Sequence, residues 1–363
     1  MQGPAFVTGG TGFVGGAVVR HLLAQGRDVV ALARTGAAAD ELARAGARPV
    51  RGDVRDPATF ERALRGCEIV FQIAGLNASC LRDPSPLFRT NVEGTRNVLE
   101  AAARAGIRRF VHTSSAATIG ERAGSIGRED TSHRGWFLTD YERSKFDAER
   151  LVMERGPAVG LEVVCVNPAS VQGPGRAEGT ARLLRAAARG RLPVAVDVWT
   201  SLVDVDDCAR AHALAAERGA SGERYLLCGG SFRTRDLLRL LEQVPARRSR
   251  TVFAPGWMLL AAAAGVEAAA RALGRSPIVC REVARAGLHG HRYDGSRATR
   301  ELGLAYAPVR ETLRRTIEWF EAEGLLAGRA ARAGGAGRCA RRTMGTPQHT
   351  RDPNRTPGGT TRQ

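Results

Sequence analysis

The sequence predicts an α/β fold, a doubly wound parallel sheet with a smaller, mostly helical lobe at the sheet's carboxyl edge. Three observations predict it. Short β-type runs alternate with helical ones through the first half of the 363 residues. The first run opens straight into a glycine-rich loop that starts a helix. Beyond Pro168 the alternation loosens, and glycines and prolines cluster over residues 173–179.

Taken in order, Ala5–Thr8 is the first strand and residues 14–24 the first helix. Residues 28–33 (DVVALA) form the second strand and Pro49-Val50-Arg51 the third, each followed by a helix. The apolar run 69–74 (IVFQIA) is a buried strand. A helix over 91–105, a strand over Arg109–Thr113, a long helix over 141–155 and a strand over 161–166 complete the alternation. Residues 201–216 (SLVDVDDCARAHALAA) return to a strand followed by a helix, and 231–292 reads as irregular and helical. Residues 1–167 and 201–227 are therefore assigned to a Rossmann-type dinucleotide-binding domain, and 168–200 and 228–326 to a substrate-binding lobe. Residues 327–363 hold eight arginines, one acid and almost no large apolar side chain. Such a stretch cannot bury enough surface to offset its ordering entropy, so a disordered basic tail is expected.

Composition narrows the function classes. The net charge is +17, but the arginines are interleaved with acids and no helix carries a basic stripe, so nucleic acid is not an expected partner. The seven cysteines form no C-x-x-C pair and their number is odd. A zinc site or disulfide framework is not expected, and a reducing compartment is. The glycine loop at 9–15 occupies the place of a signal peptide, and the apolar run 257–266 is too short to span a bilayer. The expected location is cytoplasmic. The apolar helix over 257–273 reads as a core helix or pocket wall, with weak peripheral membrane contact as a secondary reading. His289-Gly290-His291 has no third ligand at useful spacing in the chain, so no metal is expected there.

Three groups of residues carry chemistry. Gly9, Gly12 and Gly15, with Phe13 and Val14 between the last two, form a strand–loop–helix turn that lets a pyrophosphate approach backbone N–H groups. The second strand ends Leu32-Ala33-Arg34, with no acid for the adenosine ribose hydroxyls. Arg34 suits a 2′-phosphate, which favours NADP(H) over NAD(H), unless it is one more surface arginine. Asp53, beside Val54, is placed to accept from the adenine amino group or to serve as a turn acid. Finally, Tyr141 and Lys145 stand four apart on one helix face. Lys145 is the only lysine in the chain and Tyr141 one of four tyrosines. A cation beside a phenol lowers its pKa from about 10 and makes it a usable acid–base. Ser115 ends a strand, where its hydroxyl can polarise a substrate oxygen.

The motifs TGGTGFVG, GDVRD, NVEGTRN, TSSAATIG and YERSK resemble those of the extended short-chain dehydrogenase/reductases, the epimerase/dehydratase superfamily. The resemblance covers residues 3–326 and is greatest to the dihydroflavonol-reductase-like group, which includes hopanoid-associated sugar epimerases. VNPASVQGPG from Val166 and LVDVDDCARAHALA from Leu202 belong to it too. It implies that Tyr141 exchanges the proton, that Lys145 bonds the nicotinamide ribose and tunes Tyr141, and that Ser115, with Ser114 as fallback, orients the reacting oxygen. It also implies that Ala74 and Gly75 line the cofactor. Gln72 stands where relatives often carry His. Ala116 and Ala117 stand where sugar dehydratases carry an Asp-Glu pair.

The expected activity is an NADPH-favouring oxidoreductase at a CH–OH/C=O carbon. The alternatives are a nucleotide-sugar epimerase and, with less support, a non-catalytic dinucleotide sensor. The expected partner is a small carbonyl, alcohol or nucleotide sugar, with a homodimer as a further expectation.

Overall fold

A computed structural model describes residues 3–243, 250–277 and 279–326. The tail 327–363 lies outside the described residues. The strands are β1 (Ala5–Thr8), β2 (Val29–Ala33), β3 (Arg48–Arg51), β4 (Ile69–Gln72), β5 (Arg109–Thr113), β6 (Glu162–Pro168), β7 (Ser170–Gln172), β8 (Val194–Ala195), β9 (Trp199–Asp204), β10 (Glu223–Leu227), β11 (Gly230–Arg233) and β12 (Val252–Phe253). Seven of them form one parallel sheet in the order β10-β6-β5-β4-β1-β2-β3. The order reverses between β1 and β4, and in such sheets ligands bind outside the carboxyl ends at that reversal.

The central strands are buried at every position because both faces are covered. Val7, Ala31, Phe71, Val111 and Val164 face one core. It is closed by helices α1 (Phe13–Ala24) and α7 (Val205–Arg218). Phe6, Val30, Val70, Phe110 and Val163 face the other core. Helices α4 (Gly94–Arg104) and α5 (Asp140–Ala158) close that side. The remaining helices are α2 (Gly36–Arg44), α3 (Ser85–Phe88), α6 (Thr180–Ala188), α8 (Thr234–Leu241), α9 (Gly256–Ala272), α10 (Arg281–His289) and α11 (Val309–Ala322). A third core joins α6, α8 and α11 through Leu184, Leu237, Leu313 and Phe320.

Several local expectations change. The helix expected between β3 and β4 is two short 3-10 turns, Pro57–Thr59 and Glu61–Leu64. The helix expected over 91–105 begins with a π turn, Arg89–Glu93. β10, whose polar start (Glu223-Arg224) hides a strand, completes the sheet edge. Helix α9 is not a core wall. Only Ala263 and Glu267 are buried in it, and Trp257, Met258, Val266 and Leu273 are exposed. The cysteine reading is also corrected. Cys80 and Cys280, 200 residues apart, form a disulfide, while Cys67, Cys165, Cys208 and Cys228 are free and buried.

That disulfide ties the loop after β4 to the start of α10. Glu282 reinforces the tie: its carboxylate accepts from the main-chain N–H of Cys80 (3.3 Å) and from that of Asp140 at the head of α5 (2.9 Å). The head of α5 is further set by Thr139, whose hydroxyl accepts from Glu142 N (2.9 Å). Glu142 in turn accepts from Leu138 N (2.8 Å) and pairs with Arg134, both side chains being almost wholly buried. Removing one partner of such a pair strands a buried charge. Arg134→Met should therefore cost about 3 kcal/mol of unfolding free energy at neutral pH, measured by urea denaturation. The cost should shrink towards pH 5, because burial already raises the Glu142 carboxyl and an unpaired Glu142 can take up a proton. An unchanged midpoint would show that the pair does not brace α5.

Candidate active site

β1 ends at Thr8 and the chain turns at Gly9, with φ at +71°. A Cβ on Gly9 would lie 2.8 Å from the nitrogen of Ala74, and one on Gly15 only 2.0 Å from the oxygen of Gly9. Only glycine lets α1 start this close to the strand. Gly12 is the N-cap and has no side chain, and the first turn holds no acid, so its N–H groups are left for a ligand. This backbone cradle fits a pyrophosphate. The Thr8 hydroxyl accepts from Ile73 N and Ala74 N (3.0 Å each) and fixes the β4 side of the same cleft. Gln72 is fully buried and bonds Thr8 and Thr95, so the departure at this position is a packing matter.

A cavity of about 1110 Å³ runs along this edge and holds every site residue read from the sequence. Gly9, Gly12, Phe13, Val14 and Gly15 lie on its wall, as do Ala74, Gly75, Ser115, Tyr141 and Lys145. At one end stand Arg34, Asp53, Val54 and Arg55. Both Asp53 oxygens already accept from Arg55 (2.7 and 3.1 Å), which holds the carboxyl below its usual range. An adenine amino group would have to share them.

At the middle of the cleft, α5 presents Tyr141, Lys145 and Glu149 at successive turns. Glu149 is buried and accepts from Ser114, Thr118 (2.8 Å), Asn167 (2.6 Å) and Arg224 (3.1 Å). Ser114 lies on the cavity wall, but its hydroxyl is thereby committed to Glu149. Ser115 caps the turn Ala116–Ile119, its hydroxyl accepting from Ala117 N (3.3 Å), and stands beside the Tyr141 phenol. The Lys145 ammonium donates to the carbonyl of Thr113 (2.6 Å). Asn91, which carries no assigned role in the sequence reading, clamps Leu76 by two bonds (2.7 and 3.0 Å) and accepts none from Ser144, to which it donates (2.9 Å).

The far end of the cavity is lined by Leu138, Val198, Trp199, Val283, His291 and Tyr293. There His291 Nδ1 lies 2.6 Å from a buried oxygen of Glu121, and His289 Nε2 lies 3.0 Å from that residue's main-chain oxygen. The sequence offered no third donor beside the two histidines. The fold supplies Glu121.

The family model described as the NAD-dependent epimerase/dehydratase family matches residues 5–228. The chain belongs to this family. As a member of it, the chain is an NAD(P)-dependent enzyme of the extended short-chain dehydrogenase/reductase type. It is similar to a Synechocystis protein named as a dihydroflavonol 4-reductase, 34% identical over 88% of this chain and 95% of that one. It is similar to a 2-alkyl-3-oxoalkanoate reductase of Shewanella oneidensis, 30% identical over 86% of this chain and 84% of that one. The UDP-glucose 4-epimerase of Thermus thermophilus, solved with NAD, shares the fold at a TM-score of 0.70. It is 24% identical, covering 88% of this chain and 99% of that one. Among the described residues, no helix of this family member is long and apolar enough to cross a membrane.

The electrostatics differ from the simple expectation. Burial pushes the Tyr141 phenol above its ordinary pKa, and the Ser115 hydrogen bond and the nearby Arg176 pull it back. Burial lowers Lys145 from 10.5 to about 8, against the carboxylate of Glu149, which raises it. Arg55, Asn91, Arg176 and the Glu121 cluster escaped the sequence reading. For Arg55 a signal existed, a second arginine two residues after Asp53. For the others the partners are remote in the chain.

The Lys145 shift has a testable sign. Below pH 8 the folded and unfolded chains both carry the ammonium, and its burial cost is fully present. Between pH 8 and 10.5 the folded chain releases that proton first, so this site's contribution to stability rises with pH. The unfolding free energy of the wild type minus that of Lys145→Met should climb across this window. A flat difference would mean that Lys145 titrates as a solvated lysine.

Proposed function

We propose that this family member is an NADPH-favouring reductase of a ketone or aldehyde, or an oxidant of the matching secondary alcohol. The observation that carries the reading is the ribose end of the cavity. It presents Arg34 and Arg55, and its one acid, Asp53, is already paired. Arg55 is the group that pairs Asp53, so Arg34 is the guanidinium left to meet a 2′-phosphate, and a phosphorylated cofactor suits an enzyme that consumes it.

The dinucleotide, when bound, supplies or takes a hydride at the carbonyl carbon. The chain's residues do the rest. Ser115 donates a hydrogen bond to the substrate oxygen and orients it. Tyr141 gives that oxygen its proton in reduction and removes it in oxidation. Lys145 holds the ribose hydroxyls and places positive charge where a phenolate would form. Gly9, Gly12 and Gly15 hold the pyrophosphate, Phe13, Val14, Ala74 and Gly75 wall the cofactor, and Asp53 and Val54 face the adenine. Ala116 and Ala117 line the cavity without a titratable group, which leaves a sugar dehydration without its acid and base.

Residues 168–200 and 228–326 form the substrate lobe in this proposal. Leu138, Val198, Trp199 and Val283 offer an apolar wall for a substrate with an apolar body. The second reading is a nucleotide-sugar epimerase. The family's own description and the size of the cavity favour it, and it differs in consuming no NADPH. A homodimer and a weak contact with a membrane surface stay part of the proposal, drawn from the exposed apolar side chains of α9.

Two experiments test the reading. Arg34→Ala should weaken NADPH binding roughly tenfold or more, about 1.4 kcal/mol, and leave NADH binding nearly unchanged, as read by fluorescence titration. Equal effects on both cofactors would remove Arg34 from the 2′-phosphate. In a screen of carbonyl compounds and nucleotide sugars followed by NADPH depletion, Lys145→Arg should cost roughly a hundredfold in turnover, because a planar fork cannot replace a compact ammonium. Tyr141→Phe should cost at least as much, and the double variant no more than the worse single one. Near-normal turnover by Lys145→Arg would refute the role.

A further inference from the structure

We propose that Glu121, His289 and His291 form a binding site for a divalent transition-metal ion, zinc above others, at the substrate end of the cavity. Among the described residues they are the only three such side chains whose donor atoms all lie within 4.8 Å of one another. Glu121 follows the turn Ala116–Ile119, whereas His289 ends α10 and His291 lies two residues beyond it, so the group exists only in the fold.

The geometry is close to that of a bound ion. Donor atoms on one tetrahedral zinc stand about 3.3 Å apart, given metal–ligand bonds of about 2.0–2.1 Å. Here Glu121 Oε1 lies 2.6 Å from His291 Nδ1 and 4.0 Å from His289 Nε2. The two distances bracket the ideal, and each needs a shift of roughly 0.7 Å. Glu121 is fully buried, and its second oxygen has no hydrogen-bond partner. A buried carboxylate left this way is either costly or built for a ligand.

The neighbouring bonds can adapt. An ion would take His289 Nε2 away from the main-chain oxygen of Glu121, but that oxygen also accepts from Arg134 (3.3 Å). The Tyr293 hydroxyl, 3.1 Å from His291 Nδ1, would lose that partner and lies beside Glu121. It can then bond the carboxylate from outside, as groups around a metal ligand commonly do. Two imidazoles exclude a preference for calcium or magnesium, which favour all-oxygen sites. Two histidines and one glutamate are also the donor set of zinc sites that keep a fourth position open. Of the three ligands His291 lies on the cavity wall, beside Tyr293. The fourth position takes water. The site would bind its ion whether or not the chain reduces a carbonyl, so it stands apart from that reading.

The test uses the full-length protein, stripped of metal and titrated with zinc chloride by calorimetry. One ion per chain is expected. Glu121→Gln, which keeps the shape, and His291→Ala should each weaken binding roughly a hundredfold with far-UV dichroism unchanged. Cobalt(II) taken up by the unaltered protein should show ligand-field bands without a thiolate charge-transfer band. This reading decides the matter even where a variant fails to fold. Absence of saturable binding, unchanged affinity in both folded variants, or a thiolate band would overturn the proposal.

Discussion

The carboxylate of Glu149 is the contact on which the active cleft depends. It collects hydrogen bonds from Ser114 at the end of β5, Thr118 in the following turn, Asn167 near the end of β6 and Arg224 in β10. Four separate segments are thereby drawn onto one face of α5. A buried carboxylate is tolerable only when its lone pairs are met, and here they are. The register that satisfies Glu149 also places Lys145 one turn earlier, against the carbonyl of Thr113, and Tyr141 one turn before that, against Ser115. Both serines line the cavity, and the Ser114 hydroxyl is engaged by Glu149.

How much of this is legible in the chain depends on the distance over which each feature is determined. The glycine loop, the apolar strands and the Tyr141–Lys145 spacing are set by neighbours within a few residues, and the structure contains them at the expected places. Gly9 and Gly15 are glycines because backbone atoms crowd their Cβ positions, and the spacing carries that requirement. Features made by remote partners are not legible. Cys80 and Cys280 are separated by 200 residues, and Glu121 and His289 by 168. Spacing rules for cysteines and for metal ligands look along the chain, so both groups read as unrelated residues. Helix α9 fails for another reason. Its apolar content equals that of a core helix, and only the absence of a covering layer among the described residues separates the two.

The same distinction divides the cavity. The side with the glycine loop is built on strand ends and one helix terminus, elements buried on both faces and held by main-chain contacts. The other side is built on α10 and the segments beside it. The Cys80–Cys280 disulfide, the two bonds to Glu282 and the bonds of His289 and His291 to Glu121 are among its ties. One of them ends at the head of α5. The loop carrying Cys80 follows Gly75, and Glu282 holds the main chain of Asp140, the residue before Tyr141. Helix α10 is thus fastened one residue before Tyr141, which ties the position of that phenol to the stretch of cavity wall that α10 carries.

Positive charge runs along the cavity. The ribose end carries Arg34 and Arg55 against one paired acid, a field that draws in an anionic cofactor. The centre holds Lys145 and Arg176. Lys145 sits near its own titration range, and the Tyr141 phenol is held protonated by burial. At the far end Glu121 and Glu142 stand with Arg134, and the Arg292 guanidinium lies over the Trp199 ring. Arg176 sets positive charge beside the Tyr141 phenol and so opposes the upward shift that burial imposes on it.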